Sequence, residues 1–98
     1  IVVENDPEFP GGQDSLQAFM DRSLRNPRQV EGKVYVQFIV ERNGRMTNLE
    51  VLRGIDEETD EEVLRVMRLM PRWIPGRQRD KLVRVLVRFP VKICPTEQ

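Results

Sequence analysis

Residues 73–93 read Trp73-Ile74-Pro75-Gly76-Arg77-Gln78-Arg79-Asp80-Lys81-Leu82-Val83-Arg84-Val85-Leu86-Val87-Arg88-Phe89-Pro90-Val91-Lys92-Ile93. The first part is a turn, with Pro75-Gly76 suited to the two central positions of a type II turn, and it feeds a strand starting near Leu82. In that strand Val83, Val85, Val87, Phe89 and Val91 alternate with Arg84, Leu86, Arg88, Pro90 and Lys92, the period of a ribbon with one buried face. Pro90 cannot donate to a ladder, so the strand is expected at a sheet edge with its missing N–H turned outward. The arginines and the proline blunt accidental pairing, yet the same edge can accept a chosen partner strand. The partner-binding candidates are therefore Arg84, Val85, Leu86, Val87, Arg88, Phe89 and Val91.

Before this stretch lie two helical patterns and one hairpin. Asp56, Glu57, Glu58, Asp60, Glu61 and Glu62 crowd one turn, and Thr59 with Glu62 matches a capping box. A helix is expected there with Val63, Val66, Met67 and Met70 on its buried stripe, Arg65 and Arg68 outward, and Pro71 ending it. Trp73 follows two residues later, placed to close the end of the core. Upstream, residues 33–42 alternate Val34, Val36, Phe38 and Val40 against Tyr35, Gln37, Ile39 and Glu41. Asn43-Gly44 supplies the positive-φ pair of a two-residue type I′ hairpin, and residues 45–53 return. That register sets Val40 opposite Thr47, Phe38 opposite Leu49 and Val36 opposite Val51.

The first quarter opens with apolar Ile1-Val2-Val3, then an arm with Pro7, Pro10 and Gly11-Gly12. A first helix starts at Gln13, with Leu16, Phe19, Met20 and Leu24 on one stripe. Asp14 lies in its first turn, Arg22 and Arg25 in its last, and Asn26-Pro27 ends it. The pattern divides the chain into an arm over 1–12, a domain over 13–93 and a tail over 94–98. With the last strand beside the first, the expected fold is α+β: two helices on one face of a three-stranded sheet containing an antiparallel hairpin, in strand order 2-1-3. The core face carries Val34, Val36, Phe38, Val40, Leu49, Val51, Val85 and Val87. The opposite face carries Tyr35, Ile39, Leu52 and Leu86, to be covered in part by the N-terminal arm or a second copy.

Composition limits the functional classes. The 98 residues suit a single domain, are 33% charged with a formal net charge of zero, and contain no histidine. Without histidine the commonest general base and zinc ligand are both missing, and the carboxylates gather in one turn instead of facing each other across a cleft. Zero net charge gives no general attraction to nucleic acid, and among aromatics only Tyr35 is placed to stack a base. Cys94 is the single cysteine, so no internal disulfide forms, and nothing places a base beside it. A chain opening on Ile1 is expected to be a piece of a longer protein.

Taken together, Gly32-Lys33-Val34-Tyr35-Val36-Gln37-Phe38-Ile39-Val40 with Asn43-Gly44, Val51-Leu52-Arg53-Gly54, Met70-Pro71-Arg72-Trp73, Pro75-Gly76-Arg77 and the closing strand resemble the C-terminal domain of TonB. The segment Pro7-Glu8-Phe9-Pro10-Gly11-Gly12 resembles the variety of that family with a Phe-Pro-Gly-Gly lead-in. Asn26 departs from the pattern, standing where the family often has tyrosine. The resemblance implies a periplasmic, non-enzymatic energy transducer without cofactor or metal. It would be anchored in the inner membrane by an upstream segment and would work with ExbB and ExbD. Its partner would be the TonB box peptide of a TonB-dependent outer-membrane receptor, added as a strand to the sheet edge. Two alternatives stay open: a self-associating module, such as a homodimer, and a TonB-like relay domain fused to a membrane peptidase.

Overall fold

The computed structural model describes residues 4–95; the expected apolar start of the arm at Ile1-Val2-Val3 lies outside them. Seven elements follow in order: α1 (Gln13–Ser23), β1 (Gly32–Val40), β2 (Met46–Arg53), α2 (Glu57–Arg68), β3 (Gly76–Gln78), β4 (Lys81–Val83) and β5 (Val85–Ile93). The main sheet has the order β2-β1-β5, and β1 is antiparallel to both neighbours. This is the expected α+β arrangement. Val34, Val36, Phe38 and Val40 on the core face of β1 are fully buried, together with Val63, Val66 and Met67 of α2, and Met20 of α1 is buried with them. Alternate residues Val87, Phe89, Val91 and Ile93 of β5 join the same cluster. Period 2 on the strands and period 3.6 on the helices thus converge on one layer of side chains.

Several local readings change. α2 is capped by Asp56, whose carboxylate accepts the Thr59 N–H at 2.8 Å, so the helix opens ahead of Thr59. An aspartate with extended backbone at this position satisfies an otherwise orphaned donor, and Glu62 turns instead to Arg65 and to the Arg25 N–H. The helix ends at Arg68, before Met70 and Pro71. Similarly, α1 stops at Ser23, because Leu24 is already extended. Arg25 therefore lies beyond it. Asn26 ties down the following turn: its side chain accepts the Val30 N–H at 2.9 Å and donates to the carbonyls of Val30 and Cys94.

The β1–β2 connection is a three-residue loop, Arg42-Asn43-Gly44, and Glu41 faces Arg45. The Gly44 N–H donates to the Glu41 carbonyl and the Glu41 N–H to the Arg45 carbonyl. Of the Asn43-Gly44 pair only Gly44 takes positive φ, at 84°. This is the turn-plus-bulge hairpin in place of the two-residue type I′ loop. Val40 accordingly pairs with Met46 and Ile39 with Thr47, one residue away from the expected register. Asn48, at φ 54°, then adds an extra residue to β2, so that Phe38 faces both Asn48 and Leu49 and the expected Val36–Val51 pair is restored. A bulge of this kind inserts one residue and so reverses the phase error of the loop. Gly44 is also confined by packing: a Cβ there would stand 2.2 Å from the Trp73 carbonyl oxygen, and the Trp73 N–H donates to the Gly44 carbonyl.

The segment before the last strand also differs. Gly76 lies in β3 without positive φ, so no type II turn forms at Pro75-Gly76. The reversal falls at Arg79-Asp80, both at positive φ (51° and 63°), giving a small β3–β4 hairpin. Positive φ at both central residues is the I′ requirement that matches strand twist. The described part of the arm does not cover the outer face. Asn5 pairs with Arg77 and Glu8 with Ile74 through four backbone hydrogen bonds of 2.8–3.1 Å, and Phe9 is buried against Phe19 and Trp73.

Candidate functional site

β5 is an edge strand: β1 lies on one side of it, and no described strand lies on the other. Its nine residues pair with β1 without a bulge from Val40↔Val85 to Gly32↔Ile93. The opposite edge, β2, carries two register shifts against β1. Bulges twist an edge away from further pairing, so the regular edge is the one on β5. Pro90 sits within it opposite Tyr35. The ladder is unbroken there, so the proline's missing donor belongs on the outward side. Donor direction alternates along an antiparallel strand, which gives Leu86, Arg88 and Lys92 outward N–H groups, whereas Val87, Phe89 and Val91 donate toward β1.

The expected site residues therefore divide by role. Val91 is buried, Val87 and Phe89 are partly buried, and the Phe89 ring meets the Phe38 ring edge-on at 5.9 Å. Leu86 is half exposed on the outer face opposite Ile39. Val85 is partly buried beneath Gly76, where a Cβ would lie 2.8 Å from its methyl group. Arg84 lies outside β5, in the break after β4. Its guanidinium is committed: Nε donates to Glu41 Oε1 at 2.6 Å, and the neighbouring nitrogen to Oε2 at 3.1 Å. This pairing, with the Thr47 hydroxyl donating at 2.5 Å, holds the Glu41 carboxyl below the usual carboxylate range. Arg84 thus ties the start of β5 to the end of β1. Arg88 belongs to a polar row across the outer face, donating to Gln37 at 2.5 Å while Gln37 donates to Glu50 at 2.8 Å.

On its core side the free edge borders a groove of about 370 Å³. Phe9 of the arm, Leu16 and Met20 of α1, Trp73, Val87 and Phe89 line it. Composition and periodicity could not reveal this groove, because it needs Phe9 and α1 to meet β5. The one local signal was Phe9 itself, a lone aromatic between two prolines. Trp73 closes the core as expected, at 6% exposure, with its ring against Phe38 at 5.2 Å. Its indole N–H has no acceptor among the described residues. A wider hollow of about 590 Å³ lies between the bulged β2 and the end of α2, with Arg45, Arg68 and Arg72 on its rim.

Two helices on one face of a three-stranded sheet, with an unbulged edge strand left open, define the class: a two-layer α+β domain with an accessible sheet edge. Within that class, the chain belongs to the Gram-negative bacterial TonB protein C-terminal family, whose model matches residues 26–92. The matched span holds the whole main sheet up to Lys92, and leaves the arm and α1 outside it. No curated protein and no solved structure matches the chain.

Proposed function

We propose that this domain is the periplasmic end of a TonB-type energy transducer, which receives the TonB box peptide of an outer-membrane transporter as an added strand on β5 and transmits force to it. The observation that carries the reading is the regular outer edge of β5 within the family-matched span. Arg88 and Leu86 offer their backbone there, while Pro90 limits pairing toward the far end. Residues 13–93 act as the receiving unit. An inner-membrane anchor, with ExbB and ExbD as the source of proton-motive work, belongs upstream of this chain. No described helix is long and apolar enough to cross a membrane.

The mechanism is mechanical, without a catalytic step. A strand added over six or seven residues makes about five main-chain hydrogen bonds, each contributing roughly 0.5–1.5 kcal/mol before ordering costs. Affinity is consequently modest, and traction along the strand loads the bonds together. Titration with a synthetic TonB box peptide, followed by backbone amide shifts, tests the reading. Shifts should concentrate on residues 85–92; shifts confined to β2 or to the outer face would overturn it. Sedimentation of the free domain over a range of concentrations separates this reading from homodimerisation through the same edge.

A further inference from the structure

The groove beside β5 has an unusual floor. Val87, Phe89, Pro90, Val91 and Lys92 all border it, so both alternating classes of β5 residue contribute. A depression on one face of a strand is lined by every second residue; one lined by consecutive residues runs along the backbone edge itself. The opposite wall is α1, through Leu16, Gln17 and Met20, and one end is closed by Phe9. A strand added to β5 lies about 4.8 Å beyond it and projects alternate side chains to the same face about 6.8 Å apart. On the core side those side chains enter this groove.

We propose that the groove between α1 and the edge of β5 is the specificity subsite of the docking edge, taking two apolar side chains at positions i and i+2 of the incoming strand. This rests on strand addition at β5 and goes further, because it states which partner sequences are accepted. The apolar side of the lining, Leu16, Met20, Phe89 and Val87, favours apolar over charged or strongly hydrated side chains at these two positions, because a polar group set against it loses its hydration, while Glu8, Gln13, Gln17 and Lys92 supply the polar part of the lining. The volume, about 370 Å³, admits a pair of branched aliphatic side chains and is at the small end of the roughly 300–1,000 Å³ of ligand clefts. One wall of the groove, α1 with the arm, lies outside the family-matched span, and the other, Trp73 and β5, lies within it, so the preference depends on how the lead-in of this chain meets the shared sheet. The strand supplies affinity through the backbone, and the groove supplies selection.

Two blocked heptapeptides of identical composition test the assignment. Both carry two valines among serines and threonines, one at i and i+2, the other at i and i+1, where only one valine can face the groove. The i, i+2 peptide should bind the 98-residue chain about tenfold more tightly, the worth of one valine withdrawn from water. Gln17→Trp, on the exposed rim of the groove, should abolish the difference while amide shifts on β5 persist. Circular dichroism verifies that this variant is folded. Equal affinity of the two peptides, with β5 shifts retained, overturns the subsite and leaves strand addition standing. Absence of β5 shifts with either peptide overturns strand addition and the subsite with it.

Discussion

At the scale of single residues, the aromatic knot around Trp73 and the committed carboxylates make separable predictions. Trp73 touches Phe9, Phe38 and Phe89, and truncation to alanine should cost about 3–5 kcal/mol of unfolding free energy. Trp73→Phe should cost clearly less, because it keeps a ring while removing an indole donor that has no described acceptor. Chemical denaturation of both variants checks this order. The carboxylates set the acid limit. Glu41 is lowered first by its hydrogen bonds from Arg84, Asp56 by the Thr59 N–H, and Glu62 by Arg65. A pKa depressed in the folded state stabilises above the unfolded value and is lost as pH falls through the folded one. Stability should therefore hold above the ordinary values of 4.5 and 3.8 and decline below them. Glu41→Gln should be less stable near neutrality and show a shallower acid decline, read from denaturation midpoints across that range.

For the elements, the edge strand carries the sharpest test. Pro90 assigns outward donors to Leu86 and Arg88 and inward ones to Val87, so a second proline has opposite consequences at adjacent positions. Leu86→Pro should keep most of the fold and lose peptide binding. Val87→Pro should break the β1–β5 ladder and unfold the domain, at about 3 kcal/mol or more. Thermal melts and peptide titration of the two variants distinguish the outcomes, and the reverse order would mean that the strand faces the other way. The β1–β2 hairpin shows how an element tolerates a local misreading: a loop one residue longer and a bulge at Asn48 offset each other, and Val36 still meets Val51.

Across the whole molecule, the arm joins parts that are distant in the chain. Asn5 and Glu8 pair with Arg77 and Ile74, the Glu4 carboxylate accepts the Arg79 N–H at 2.7 Å, and Phe9 enters the core. Removing residues 1–9 leaves the matched span of 26–92 intact, yet it strips one side of Trp73 and opens the groove. We expect a loss of about 3–5 kcal/mol, similar to truncating a buried phenylalanine. Phe9→Ala should account for most of it. Comparing the deletion with the point variant by denaturation measures how much the backbone pairing adds. If the deletion were neutral, the arm would be an appendage and the groove would lack its end wall.

Much of this architecture was legible in the residues. Alternation in 33–42 and 82–93, the stripe Val63-Val66-Met67 and the edge signal of Pro90 determined two helices on a three-stranded sheet with an open last strand, because burial period is a local property written into each segment. Local rules also misplaced details where two of them competed: Asp56 outranked Thr59 as the cap of α2, and Arg79-Asp80 turned the chain where Pro75-Gly76 was expected to. What only the tertiary structure decided was which side chains of the edge are free. Arg84 and Arg88 read as exposed cations in sequence, but Glu41, just past β1, and Gln37 of β1 hold them. Beyond the lone aromatic Phe9 the groove had no sequence signature, since its walls come from residues about seventy positions apart and exist only once Phe9 and α1 have packed against β5.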